Sequence, residues 1–192
     1  MVEAAPSPLN TLKGEIRDMP GSVVVGGMMA DGLHLKIMEP SGRTTWLEAL
    51  GGLVDGAAAN QYVTYSSDDV IPNGGTCGTT ELLAAPGREK FKMRDASTPL
   101  EGGEPECTQL AADTDFEFFQ DFGSVSACEN RINLVISTMN NQYETQVGIS
   151  HLITTIIVRD SSNDPYSSNE AGVLLDQFRA EWLANQNGVV RD

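Results

Sequence analysis

The chain has 192 residues, 40% of them hydrophobic and 20% charged, a composition that folds, and its length admits one large domain or two small ones. Twelve basic against 27 acidic side chains leave a formal charge of −15, which repels phosphate backbones and anionic membrane surfaces and argues against a nucleic-acid partner. The acidity reads as a well-hydrated surface rather than a cation site, and no hydrophobic run reaches the roughly 20 residues that span a bilayer.

The opening stretch, MVEAAPSPLNTLKGEIRD, has neither the basic nor the apolar region of a secretory signal, so the chain is expected to be cytosolic or to lack its true start. GEIRD, SVVVGGMM, GLHLKIMEP, RTTWLEAL and QYVTYSS follow one another as short runs rich in β-branched and aromatic residues, punctuated by Pro, Gly, Asp and Ser. They predict an antiparallel β domain over residues 1–97. Pro, Gly and Glu then gather in TPLEGGEPEC, which predicts a linker over 98–106.

Beyond the linker, TQLAADTDFEFF alternates apolar and polar residues as a strand with one apolar face does. Asp113, Asp115 and Glu117 fit the polar face of that strand better than a carboxylate pair or a calcium cluster. A long helix is predicted next, opened by a capping box of Ser126 and Glu129 and closed by Gly148, with Cys128, Ile132, Val135, Ile136, Met139, Tyr143 and Val147 along its inner stripe. ISHLITTIIV, 149–158, reads as a strand covered on both faces. A second capping box, Ser167 with Glu170, opens a helix whose stripe is Ala171, Leu174, Leu175, Phe178 and Trp182. The final VVRD resembles the first steps of a third strand. The expected fold is therefore α+β: an antiparallel β domain, then an incomplete β-α-β-α segment over 107–192, with unpaired edges that lead us to expect a chain cut short at Asp192.

The chemistry-bearing residues are few. Only His34 and His151 occur, far apart, with no H-E-x-x-H and no CxxC, so a self-contained zinc site is not expected and both histidines read as structural. No phosphate-binding glycine motif and no G-x-S-x-G is present. Three cysteines, Cys77, Cys107 and Cys128, allow one disulfide and one free thiol, or a bond outside the chain. Cys107 and Cys128 could bridge, but a strand separates them, and a partner elsewhere for Cys128 stays equally open.

Two sets of residues resemble a known family. Gly14, Pro20, Ser22, Val24, Asp31, Gly32, Leu33, Arg43, Thr45, Trp46, Glu48 and Leu50 stand at the positions of the propeptide pattern of reprolysin-like (adamalysin-type, metzincin) zinc metallopeptidases. DTDFEFFQDFGS, NNQYETQVGISHLITTIIVRD, DPYSS and LLDQFRAEWL resemble the start of the catalytic domain in bacterial members.

The resemblance implies a fragment of a secreted zinc metalloendopeptidase precursor, with a zincin-like second domain acting on protein or peptide substrates in the complete protein. It implies an intramolecular contact between propeptide and catalytic domain. It also implies that Cys77, in Thr-Cys-Gly-Thr, is a latency thiol ligating the zinc held by the rest of the enzyme, although the proline and basic residues that often flank such a cysteine are missing. This chain alone, without H-E-x-x-H, is expected to bind no zinc and to be inactive. The alternative is a non-enzymatic acidic binding or inhibitor module.

Overall fold

The structure, a computed structural model, describes residues 10–71 and 106–192. Five strands open it: β1 (Thr11–Gly14), β2 (Val23–Met29), β3 (Gly32–Met38), β4 (Thr44–Ala49) and β5 (Tyr62–Ser66). They pair antiparallel in chain order, a meander in which each strand meets the one just made. The register is set by short turns, tightest between β2 and β3, where Met29 pairs with Gly32 across Ala30 and Asp31. Gly26 is required by packing: a Cβ there would lie 2.0 Å from the His34 carbonyl oxygen.

Four of the five predicted runs coincide with strands; GEIRD does not. β1 ends at Gly14, and the residues after it build the turn into β2: Ser22 Oγ accepts from the Ile16 amide at 2.9 Å, and Glu15 Oε1 from the Gly21 amide at 2.7 Å. These side-chain acceptors offer the backbone an alternative to the ladder.

The second region runs β6 (Glu106–Asp113), α1 (Phe116–Phe122), α2 (Val125–Val147), β7 (Ile149–Ile157) and α3 (Ala171–Asn185). β6 and β7 pair parallel, with one register shift between Leu110 and Ala111. The molecule is thus α+β, as expected from the sequence, with a short helix α1 added. The strand predicted through Phe118 stops at Asp113 because Asp115 caps a helix instead, its Oδ1 accepting from the Phe118 amide at 2.8 Å. Asp113, Asp115 and Glu117 therefore do not share one strand face.

The predicted capping boxes are displaced as well. Ser124, not Ser126, caps α2, accepting from the Ala127 amide at 3.2 Å, because Gly123 in the left-handed conformation ends α1 and turns the chain one residue before it. Ser167 does not cap α3. It grips Gln177 instead, its amide donating to Gln177 Oε1 at 3.1 Å and its hydroxyl accepting from Gln177 Nε2 at 2.8 Å. Gly148, at φ 69°, closes α2 as predicted.

α2, 23 residues and so about 35 Å long, touches β1 and β2 on one side and β7 on another. Toward the meander, Asn141 Nδ2 donates to Met38 Sδ at 3.7 Å, Lys36 Nζ to Gln142 Oε1 at 3.3 Å, and Lys13 pairs with Glu144 at 3.4 Å. Toward β7, Asn140 exchanges hydrogen bonds with the His151 backbone, both at 2.8 Å. A helix covered from two directions does not bury one stripe. Leu134 and Asn141 are buried beside Cys128, while Val135, Tyr143 and Val147 of the predicted stripe are exposed.

β7 is covered less than its composition suggests. Ile157 is buried, but Leu152 is 56% exposed. α3 likewise buries only Trp182 of its predicted stripe and leaves Leu175 52% exposed, since it is held at one end by polar contacts rather than along an apolar face. The last residues form no strand in the structure, although the Asp192 amide donates to the Gln109 carbonyl at 3.1 Å and Asp192 Oδ2 accepts from the Gln109 amide at 2.6 Å.

Candidate functional site

Cys77, the candidate zinc-ligating thiol, lies outside the described residues, as does all of the predicted linker except Glu106. Cys107 and Cys128 are free thiols, the first exposed and the second fully buried. Burial pushes the Cys128 thiol above its ordinary value, which keeps it protonated and unreactive. Among the described residues no group of three His, Cys, Asp or Glu side chains could hold a metal ion.

Both histidines are committed to other partners. His34, on β3, is buried, with Nδ1 against Glu48 Oε2 and Nε2 at 2.9 Å from Asp31 Oδ1. The ring joins the β2–β3 turn to β4, and its two N–H groups together satisfy both carboxylates. His151 Nδ1 lies 2.8 Å from Asn140 Oδ1, and its ring meets Tyr143 edge-on at 5.2 Å. Neither fits a zinc ligand without giving up these contacts. Asp31 and Glu48 are two of the propeptide-pattern positions, so the clamp on His34 gives those acids a physical purpose that spacing alone could not show.

Trp46 belongs to the same pattern and is similarly anchored, its indole N–H donating to Ser67 Oγ at 2.9 Å while the Lys36 ammonium lies 5.4 Å from its ring centre. Ser22, another pattern residue, is buried at the turn described above.

The polar centre of the second region was missed in the sequence. Asp113, the last residue of β6, has a side chain 0% exposed, and its carboxylate gathers three elements. It accepts from Arg159 Nε at 2.9 Å and Nη2 at 2.8 Å, from the Tyr166 hydroxyl at 2.7 Å and from the Trp182 indole at 3.0 Å. Arg159 also reaches Glu181 at 3.1 Å, tying the end of β7 to α3. This two-pronged guanidinium pair is the strong kind of charged hydrogen bond, and every donor is neutral or positive, so the buried carboxylate is fully compensated.

The titrations follow from that arrangement. The Asp113 carboxylate beside Arg159 raises its guanidinium further above its already high value. Burial first, and then the Asp113 carboxylate, push the Tyr166 hydroxyl well up, so it stays a donor. Hydrogen bonds from Asn185, Gln186 and Arg159 hold Glu181 below the usual carboxylate range.

Asp164 completes the frame, accepting from the Phe116 amide at 2.7 Å and the Tyr166 amide at 3.1 Å. Asp164 and Tyr166 belong to the DPYSS stretch and Asp113 to DTDFEFFQDFGS, so residues singled out only as a pattern converge on one buried carboxylate. The one available signal was charge bookkeeping: an acid inside a β-branched and apolar region, with an arginine directly after the next strand.

No curated protein matches the chain. Residues 105–191, which span β6 through α3 and the whole Asp113 centre, match the family model of the reprolysin-like metallo-peptidases of family M12B.

Proposed function

We propose that the chain is the propeptide and the N-terminal catalytic segment of a secreted zinc metalloendopeptidase precursor, kept latent by Cys77. The family match over residues 105–191 carries the peptidase reading. The meander supports the propeptide assignment: it precedes the matched segment, holds the propeptide-pattern residues in structural roles, and packs through β1 and β2 on α2 of that segment.

In this reading α2 is the shared wall between propeptide and catalytic segment. Its contacts with the meander are mostly polar and partly exposed, as suits a surface that must later separate. Zinc would be held by residues outside those described here, since His34 and His151 are engaged elsewhere. Bound there, it would activate water for attack on a peptide carbonyl. Cys77, following the meander in the chain, is the thiol proposed to block that chemistry before processing.

The test is Cys77→Ala in the full-length precursor. Peptidase activity should rise before any proteolytic processing, and unchanged latency would remove Cys77 from this role. Tight stoichiometric zinc together with peptidase activity in the isolated 192-residue chain would overturn the wider proposal.

A further inference from the structure

A cavity of about 740 Å³ opens where the β2–β3 turn meets the corner between α1 and α2. Its size lies in the range of small-molecule sites. Met28 and Phe122 line it and are 52% and 38% exposed, so its apolar wall is uncovered. Asp31 also lines it but is already engaged by His34.

Three lining groups are unsatisfied. The Asn130 side-chain oxygen is buried with no hydrogen-bond partner. Buried polar atoms of that kind are rare in folded proteins and point to a missing partner. Its neighbour Arg131 is half-buried, and Asp121 stands at the end of α1; among the described residues neither has an ion pair or a hydrogen bond through its side chain. The cavity therefore presents one unpaired cation, one unpaired anion, a buried amide and an apolar wall.

We propose that this cavity binds a short apolar peptide by its free ends, the terminal carboxylate on Arg131 and the ammonium toward Asp121. The planar guanidinium matches a carboxylate with two parallel hydrogen bonds. A peptide group offers N–H and C=O side by side, and so satisfies Asn130 in either orientation of its amide. An aliphatic side chain between the two ends covers Met28 and Phe122. A phosphate or nucleotide would satisfy Arg131 but would meet Asp121 and Asp31 as like charges and leave the apolar wall bare. The site needs neither zinc nor peptidase activity, so it stands or falls separately from the function proposed above.

The experiment is an amide NMR titration of the 192-residue chain with the tripeptide Ala-Leu-Ala and with its C-terminal amide. The free acid should shift the resonances of Met28, Asn130 and Arg131, and the amide should bind about tenfold more weakly, the usual effect of losing one charged hydrogen-bond pair. Arg131→Gln should abolish that preference and Arg131→Lys restore part of it, in chains whose remaining spectrum is unchanged. Equal affinity for acid and amide, shifts confined to other residues, or no shifts up to ~10 mM peptide would each overturn the proposal. The acid-to-amide comparison on the unaltered chain decides the matter even if a variant fails to fold.

Discussion

The two regions of the molecule reach stability by different means. The meander is assembled from neighbours: each of its strands pairs with the next, and its buried residues Val24, Val25 and Ala49 sit on adjacent strands. β6 and β7, by contrast, are parallel, so the chain must pass through α1 and α2 before the second strand can pair. Their far end is closed by Asp113, a single carboxylate that gathers groups from the residues after β7 and from α3. Local pairing spreads stability over many small contacts, whereas a buried charged centre concentrates it in one residue. The first kind tolerates single losses, and the second fails when its centre is removed.

Asp113→Ala should therefore have the largest effect. It leaves the Arg159 cation, whose side chain is 12% exposed, without its main partner, at a cost of about 3–5 kcal/mol. The loss should be confined to the second region. The chain holds two tryptophans, Trp46 in the meander and Trp182 at the Asp113 centre, so fluorescence of Trp46→Phe and Trp182→Phe backgrounds separates the two. A variant that unfolds both regions together would show them to be one cooperative unit.

Gly26→Ala should break the meander in turn, by about 1–3 kcal/mol, because the added Cβ meets the His34 backbone and β2 must shift from β3. Hydrogen exchange would show β2 and β3 opening while β6 and β7 stay protected.

Tyr166→Phe should cost less, about 1.5–3 kcal/mol at neutral pH for a hydrogen bond to a charged group, at the low end if the remaining donors close around Asp113. Its sharper signature is pH. The folded-state value of Tyr166 is raised, so the unfolded chain loses that proton first. Its stabilisation is complete below the unfolded tyrosine value of about 10 and declines as pH rises beyond it. Alkaline unfolding monitored at Trp182 should be shallower in Tyr166→Phe, and an unchanged profile would show that Tyr166 does not control it.

Much of this architecture was readable in advance. Strands β2 to β5 follow from runs of alternating and β-branched residues, and the glycine stop at Gly148 marked the end of α2. The errors arose where a side chain competes with the ladder. Asp115 turns an apparent strand into a helix, Glu15 and Ser22 turn another into a loop, and Ser124 takes the capping role that spacing assigned to Ser126. Ser, Asp and Glu bond the backbone in several local geometries, so their spacing does not identify which one is used.

The candidate sites were less legible than the elements. His34 was read as structural, but its two carboxylate partners come from a turn and from a strand further along the chain. Asp113 read as one tooth of a polar face, although it is the most enclosed charge in the second region. The Asn130 and Arg131 pair had no sequence signal at all, since an unsatisfied group is defined by what fails to approach it.

The order of pattern by itself determined the α+β class, the meander and the β-α-β-α succession, because periodicity and turn chemistry act over a few residues and need no distant partner. Tertiary structure alone decided that α2 would serve two sheets, that Asp113 would be buried at a crossing of three elements, and that a cavity would open at the junction. Those outcomes depend on which surfaces meet, and burial and charge pairing are properties of the meeting rather than of either stretch of chain.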